Sequence, residues 1–158
     1  MPVAVLCGGK GTRLGEPIKC LTEVAGRPFM DWKLEQLERM DAREIWLSCG
    51  PFSDEFEARY GDFCDIYTDN QTGIANALGV VRQDMHWTMG DVLLEQPLIK
   101  LNEPTMYVRR DNNPNIAGIW LDCGLYYGKS GFKLVETDAE PYHINTHADL
   151  QRCHAYLR

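Results

Sequence analysis

Short apolar runs alternate with amphipathic segments through the first third of the chain. Val3–Cys7 is a continuous apolar and β-branched run followed by glycines, which is typical of a strand buried on both faces. Apolar residues at near-helical spacing, with charges between them, predict an amphipathic helix over Asp31–Met40 with Asp31 as its N-cap. Its apolar face consists of Trp32, Leu34, Leu37 and Met40. With the apolar run Glu44–Ser48 next, the order predicts a right-handed βαβ unit.

The later elements follow from the same periodicities and from turn residues. The predicted strands are Phe63–Tyr67, His86–Met89, Thr105–Arg109 and Ile116–Leu121. The predicted helices are Ser53–Tyr60 with Ser53 as its N-cap, Gly73–Gln83 and Asp149–Leu157. This alternation predicts an α/β fold in which a mostly parallel sheet lies between layers of helices. No linker or repeat interrupts it, so we expect one domain over residues 1–158.

Composition and charge exclude several classes of partner. The chain of 158 residues has a formal net charge of −7, so it offers no general positive field to a nucleic-acid backbone. No apolar stretch reaches the roughly 20 residues needed to cross a bilayer, and the start of the chain lacks the pattern of a signal peptide. Six cysteines without CxxC spacing predict reduced thiols in a cytosolic protein. We therefore expect neither nucleic acid nor membrane as a partner.

A glycine-rich loop with positive charges follows the first strand directly, where an open α/β sheet places its ligand crevice. Its residues are Gly8, Gly9, Lys10, Gly11, Thr12, Arg13 and Leu14. Glycines let the backbone approach a triphosphate, and the basic side chains add charge. The spelling fits neither the GxGxxG dinucleotide fingerprint nor the Walker A loop. The loop is thus predicted to bind phosphates, and the alternative is a tight turn without a ligand.

The segment LCGGKGTRLGEPIKCLTEVAGRPFMDWKLEQL resembles the signature of the sugar-phosphate nucleotidylyltransferases, GGxGTRL followed by PK and GxP. The strings VAGRPFMDWKLEQL, IWLSCGPFSDEFEARYGD and TGIANAL are similar to heptose-1-phosphate guanylyltransferase-like members of that family. The resemblance covers residues 3–91 and resumes near the C-terminus. It implies a Rossmann-like (GT-A-like) three-layer sandwich and the transfer of a nucleoside monophosphate from an NTP to a phosphorylated small acceptor.

The same resemblance implies roles for the basic residues. The glycine loop with Arg13 would hold the β- and γ-phosphates that leave as pyrophosphate. Lys19 matches the lysine of the PK pair and would neutralise charge on the α-phosphate during the reaction. This chain departs from the pattern because Ile18 separates Pro17 from Lys19. The alternative for Lys19 is a solvated surface lysine.

Two later motifs imply a magnesium site. Asp91 in the Gly-Asp pair after a predicted strand matches the family aspartate that holds Mg²⁺, and Asn145 matches an asparagine that supplies a second oxygen. His143 stands where hexose enzymes carry aspartate, and it is either a further ligand or a structural histidine. Thr146 and Asp149 have the spacing of a capping box, which assigns them to helix structure.

The resemblance does not fix the identity of the nucleobase or of the acceptor. It places Gln71, Thr72 and Gly73 beside the nucleobase, together with backbone near Leu6 and Cys7. GTP is favoured by the heptose-like strings, CTP is the next choice, and UTP and dTTP stay open. A homo-oligomer is also left open.

For the acceptor, the segment 115–120 (NIAGIW) resembles a stretch that lines the sugar pocket, and Arg109 and Arg110 are candidates to bind an acceptor phosphate. The favoured acceptor is a sugar 1-phosphate. The alternatives are a cytidylyltransferase for phosphocholine or a similar alcohol phosphate, and a relative that binds nucleotide without turnover.

Overall fold

The structure is a computed structural model that describes residues 2–8, 15–67, 79, 81–110 and 120–158. In these ranges the strands are β1 (Pro2–Leu6), β2 (Glu23–Val24), β3 (Arg27–Pro28), β4 (Glu44–Ser48), β5 (Asp65–Tyr67), β6 (His86–Met89), β7 (Val92–Leu93), β8 (Thr105–Arg110), β9 (Trp120–Tyr127), β10 (Lys133–Glu136) and β11 (Tyr142–His143). The helices are α1 (Phe29–Arg39), α2 (Ser53–Tyr60) and α3 (His147–Leu157), with 3-10 helices at Lys19–Leu21 and Gly50–Phe52. None of these helices is long and apolar enough to cross a membrane.

The central sheet has seven strands in the order β10-β8-β9-β6-β1-β4-β5. Strand β1 lies in the middle of its parallel part, between β4 and β6, and β5 extends it beyond β4. Strand β9 runs antiparallel to both of its neighbours, β6 and β8, and β10 is parallel to β8. The predicted α/β class with a mostly parallel sheet is therefore confirmed, and among the described strands of this sheet β9 alone reverses direction.

Strand β1 is buried on both faces, as its unbroken apolar sequence predicts. Val3 and Val5 pack into the core cluster that includes the apolar face of α1, whereas Ala4 and Leu6 pack into a second cluster on the other face. In the second cluster Trp87 stacks on Tyr126 with ring centroids 3.9 Å apart. The alternation of side chains along one strand thus builds two cores that sandwich the sheet.

Helix α1 starts at Phe29, two residues before the predicted N-cap, so the assignment of Asp31 as a cap is wrong. The N-cap is Pro28, and the Phe29 N–H donates instead to the Thr22 carbonyl at 2.8 Å. Asp31 lies in the first turn and accepts a hydrogen bond from the Tyr60 hydroxyl at 2.6 Å. At the start of α1 the Thr22 carbonyl thus accepts a backbone hydrogen bond, and no side chain caps the helix.

Two other helix starts depend on local geometry. Helix α2 has the predicted bounds, but Ser53 is its first residue and caps nothing, because the 3-10 helix Gly50–Phe52 leads straight into it. Helix α3 starts at His147 rather than Asp149. Thr146 is its N-cap, and Thr146 and Asp149 form the predicted capping box.

The remaining strands agree with the prediction in type and differ at their ends. The predicted strands His86–Met89 and Glu44–Ser48 have the observed bounds, whereas Phe63–Tyr67 shortens to β5. The predicted helix Gly73–Gln83 lies mostly outside the described residues, and its described end, residues 81–83, is not helical. The predicted strand Ile116–Leu121 also lies mostly outside them, and β9 continues it to Tyr127.

Candidate active site at the carboxyl edge of the sheet

The edge of the sheet where β1 and β6 end brings two predicted motifs side by side. Leu6 pairs with Met89, so Cys7 and Gly8 follow one strand where Gly90 and Asp91 follow its neighbour. The Gly90 N–H donates to the Leu6 carbonyl at 2.8 Å. A Cβ on Gly90 would lie 2.9 Å from the Leu6 carbonyl oxygen, closer than real Cβ atoms come. The Gly-Asp turn thus needs its glycine in order to pack against the end of β1.

Three residues that the sequence predicts for catalysis and metal binding meet at this edge. Lys19 begins the 3-10 helix Lys19–Leu21, and its Nζ donates to Asp91 Oδ2 at 2.6 Å and to Asn145 Oδ1. The side chains of Lys19 and Asp91 are 18% and 19% exposed, so solvent still reaches the pair. The extra residue Ile18 does not keep the lysine away from the site.

The chain around Asn145 is held in place from both sides. The Ile144 N–H donates to the Asp91 carbonyl at 3.1 Å, next to the short antiparallel pairing of β11 with β7. The N–H groups of Asn145 and Thr146 both donate to Asp149 Oδ2 at 3.1 Å. The capping box of α3 therefore also fixes the segment that presents Asn145.

The oxygens of Asp91 and Asn145 fit a hard cation. They converge on one positively charged atom, the Lys19 Nζ, which shows that the two side chains already serve a cation jointly. Mg²⁺ takes oxygen ligands and is commonly held by one or two carboxylates together with water and substrate phosphates. Within the described ranges no group of three or more His, Cys, Asp or Glu side chains is arranged to hold a metal. A magnesium ion here would thus rely on few protein ligands.

A lysine that belongs to none of the predicted motifs is buried next to this site. Lys33 of α1 is 1% exposed, and its Nζ donates to Thr88 Oγ1 and to the Val92 carbonyl, both at 2.8 Å. Burial lowers the pKa of Lys33 to about 7, although the negative charge of Asp91 acts in the opposite direction. Gln36, one turn further along α1, accepts a hydrogen bond from the Leu94 N–H at 2.9 Å.

The helical spacing could have revealed Lys33. The buried positions of α1 are Phe29, Met30, Lys33, Leu34, Gln36 and Leu37. Trp32 and Met40, which were predicted for the apolar face, are only partly buried. A face drawn through positions 30, 33, 34 and 37 includes a lysine, and a lysine on the core side of a helix is unusual enough to signal a role.

A basic cavity of about 420 Å³ lies at the ends of β8 and β9. Its polar lining consists of Arg109, Arg110, Arg152, Asp122, Glu140 and His143. Glu140 forms ion pairs with both Arg109 and Arg152. Asp122 accepts hydrogen bonds from the Gly124 N–H at 2.8 Å and from the Tyr126 hydroxyl. The cavity thus joins the two arginines predicted for the acceptor with a third from α3.

Other predicted site residues are buried within the sheet or lie outside the described ranges. The Cys7 N–H donates to the Ser48 carbonyl at 2.9 Å, and burial raises the pKa of the Cys7 thiol well above its usual value. All six cysteines are buried free thiols. The predicted site residues outside the described ranges are Gly9, Lys10, Gly11, Thr12, Arg13, Gln71, Thr72 and Gly73, and the segment 115–120 lies outside them up to residue 119. Their predicted roles stay predictions.

The chain is similar to curated proteins over part of their length. It is 29% identical to the bifunctional protein GlmU of Hyphomonas neptunium over 103 residues, which is 60% of this chain and 22% of that protein. It is 34% identical to the molybdenum cofactor guanylyltransferase of Ectopseudomonas mendocina over 83 residues, which is 52% of this chain and 39% of that protein. The chain therefore spans less than half of either relative.

A solved structure matches the fold over nearly the whole chain. The structure of HddC from Yersinia pseudotuberculosis complexed with GMP-PN superposes with a TM-score of 0.75 and covers 99% of both chains at 16% identity. At that identity the likeness concerns the fold. The sequence pattern of the MobA-like NTP transferase domain matches residues 3–95, which is more than half of the chain. The protein therefore belongs to the MobA-like NTP transferase family.

Proposed function

We propose that this chain is a magnesium-dependent nucleotidyltransferase that joins a nucleoside monophosphate from an NTP to the phosphate of a small acceptor. The favoured acceptor is a sugar 1-phosphate. The observation that carries the proposal is the convergence of Lys19, Asp91 and Asn145 at the edge of the sheet where β1 and β6 end. These residues come from three distant parts of the chain, and each matches a family motif. Such a meeting of a cation with two oxygen ligands at the ligand edge of an α/β sheet supports phosphoryl chemistry.

The reaction needs no nucleophile from the protein. An oxygen of the acceptor phosphate, already ionised at neutral pH, attacks the α-phosphorus of the NTP in line. A new P–O bond forms, and the bond from the α-phosphorus to the bridging oxygen breaks, so pyrophosphate leaves with that electron pair. Positioning and charge neutralisation then account for catalysis.

The residues of the site divide this work between them. Asp91 and Asn145 would hold the metal, which when bound neutralises phosphate charge and orients the triphosphate. Lys19 would place its ammonium on the α-phosphate, where charge builds up as phosphorus becomes five-coordinate. The loop from Gly8 to Leu14, with Arg13, would bind the β- and γ-phosphates through backbone N–H groups and the guanidinium.

For the nucleotide we propose GTP before CTP. One curated relative is named as a guanylyltransferase, and the matching HddC structure holds GMP-PN. Gln71, Thr72 and Gly73 stay the candidates for contact with the base. The glutamine amide can both donate and accept hydrogen bonds, which suits a base edge without choosing among bases.

For the acceptor phosphate we propose the basic cavity near Arg109 and Arg110. It opens at the same edge of the sheet as Asp91, because β8 runs in the same direction as β6. Glu140 now pairs with two of the cavity's arginines, so an incoming phosphate would share or replace that carboxylate. Six free thiols are in keeping with a reducing compartment, and we propose the cytosol.

The decisive experiment measures pyrophosphate release from each NTP across a panel of acceptor phosphates. We expect the fastest release with GTP and a sugar 1-phosphate in the presence of Mg²⁺, and none from the Asp91→Ala variant. Release with CTP and phosphocholine would instead establish the cytidylyltransferase. Tight nucleotide binding without release from any pair would mean a nucleotide-binding relative and would refute the proposed turnover.

The metal assignment makes a graded prediction. Asp91→Ala removes a full charge and should abolish Mg²⁺-dependent activity, whereas Asn145→Ala removes one neutral oxygen and should raise the Mg²⁺ requirement while some activity remains. Asn145→Asp should be tolerated and should lower the Mg²⁺ concentration for half-maximal activity. Activity measured against Mg²⁺ concentration distinguishes the three variants, and a wild-type curve for Asp91→Ala would place the metal elsewhere.

A further inference from the structure

The two ends of the turn that carries Asp91 are bridged by one side chain. Lys33 donates to Thr88 Oγ1, in β6 before the turn, and to the carbonyl of Val92, the first residue after it. Both distances are 2.8 Å. One nitrogen atom therefore fixes the separation of the two ends of the segment 89–91.

Strand β9 also contacts the residues on either side of this turn. Thr88 Oγ1 donates to the Gly124 carbonyl of β9 at 2.7 Å. A Cβ on Gly124 would lie 2.6 Å from Val92 Cγ1, so β9 packs against the turn as closely as a glycine permits. Lys33 and β9 thus both contact the residues that flank the turn, Thr88 and Val92, and Asp91 within the turn accepts a hydrogen bond from Lys19.

Packing alone does not account for a lysine at this position. Apart from Gln36, the other buried positions of α1 are apolar, among them Met30, Leu34 and Leu37. Neither acceptor of Lys33 is a carboxylate, so no ion pair with a described residue offsets the cost of burying its amine. A methionine would fill similar space without that cost, but it would leave Thr88 Oγ1 and the Val92 carbonyl without their donor.

We propose that Lys33 is a positioning residue: by holding Thr88 and Val92 it sets the orientation of Asp91 and thereby the metal affinity of the site. The inference rests on the proposed function in so far as Asp91 is taken as a metal ligand. Partners that orient metal ligands commonly change metal affinity by about 10- to 100-fold when they are removed.

The test compares Lys33→Met with Gln36→Leu, because both remove a buried hydrogen bond from α1 to the chain after β6. Mn²⁺ binding to the full chain, followed by its electron paramagnetic resonance signal, serves as the probe. At pH 8, above the pKa of about 7 to which burial lowers Lys33, the first substitution changes hydrogen bonds more than charge. We expect Lys33→Met to weaken Mn²⁺ binding by about 10-fold or more, and Gln36→Leu to leave it unchanged.

A second pair of variants covers the case in which Lys33→Met does not fold. Thr88→Val removes the hydroxyl with almost no change of shape, whereas Thr88→Ser keeps it. We expect weaker Mn²⁺ binding in Thr88→Val and recovery in Thr88→Ser. Wild-type Mn²⁺ affinity in a folded Lys33→Met or in Thr88→Val overturns the inference, as does an equal loss in Gln36→Leu.

Asp91→Ala separates failure of this inference from failure of the proposed function. If Asp91→Ala binds Mn²⁺ as the wild type does, the metal lies elsewhere and both proposals fall. If Asp91→Ala loses Mn²⁺ while Lys33→Met keeps it, the metal site stands and only the role of Lys33 is refuted.

Discussion

Single residues at the sheet edge are constrained by atoms that are far away in sequence. Gly90 is the clearest case, because a Cβ there would lie 2.9 Å from each of three atoms, in Leu6, Cys7 and Cys20. The requirement is steric rather than conformational, since nothing about its backbone angles demands glycine. A sequence motif that was assigned to metal binding thus also has a packing reason for its first residue.

Gly90→Ala should destabilise the protein by about 1–3 kcal/mol, the usual cost of forcing extra volume into a packed site. The matched control is Gly79→Ala, because a Cβ there meets no atom of the described residues within 4 Å. Urea unfolding of both variants checks the expectation. Equal stability of Gly90→Ala and wild type would mean that the surrounding atoms shift without cost to make room for the Cβ, so that glycine is not required there.

Some residues of the candidate site could be predicted from the sequence because they lie in short sequence motifs. Lys19, Asp91 and Asn145 each follow a recognisable string, and the structure brings their side chains together. Lys33 belongs to no such string. Its importance depends on what lies across the helix interface, Thr88 and Val92, and a pattern within one helix cannot supply that information.

At the scale of elements, the type of each segment was easier to predict than its first residue. The strands Glu44–Ser48 and His86–Met89 have their predicted bounds because their apolar runs end at glycine or at the edge of the sheet. The start of α1 depends on the Thr22 carbonyl and the start of α2 on a 3-10 turn, so neither was visible in side-chain preferences. The start of α3 depends on a capping box, which the sequence does contain.

The capping box of α3 gives a prediction at this scale. Thr146→Ala should cost about 1 kcal/mol of folding free energy, because the Asp149 N–H loses its acceptor at 3.2 Å, whereas Thr146→Ser should keep most of that energy. Chemical denaturation of the two variants provides the measurement. If the alanine variant were as stable as the serine variant, the cap would contribute nothing to the stability of this helix.

At the scale of the whole molecule, the candidate site and a buried histidine that lacks hydrogen-bond partners among the described residues lie at opposite edges of the sheet. The candidate site lies at the carboxyl end of β6, while His86 begins the same strand at the other edge. His86 is fully buried against Tyr127, with ring centroids 4.9 Å apart, and neither ring nitrogen has a partner among the described residues. Burial lowers the pKa of His86 to about 4.

That histidine predicts how stability depends on pH. The folded state keeps His86 neutral down to about pH 4, whereas the unfolded state binds a proton near pH 6.5. Between these values the unfolded state holds more protons, so stability falls as the pH falls, by roughly 3 kcal/mol over the whole window. His86→Leu should flatten this dependence and should also be more stable near pH 6, since it removes an unpartnered buried polar group.

Unfolding free energies of wild type and His86→Leu, measured by urea titration at several values between pH 4 and pH 7, test this prediction. The carboxylates common to both proteins contribute equally, so the difference between the two curves isolates the histidine. Parallel curves would show that His86 does not govern the acid sensitivity of the fold.

The pairing of Lys19 with both Asp91 and Asn145 has a consequence for the order in which ligands arrive. Without ligands, the positive charge of Lys19 balances the negative charge of Asp91. A metal ion that binds without nucleotide must therefore displace the ammonium before it can reach these oxygens. A nucleotide that carries its metal offers the ammonium a phosphate in exchange. In the proposed reaction, metal and nucleotide therefore strengthen each other's binding by the same factor, as linkage requires. Movement of the Lys19 ammonium from Asp91 and Asn145 to a phosphate therefore frees the metal ligands at the same time as the nucleotide binds.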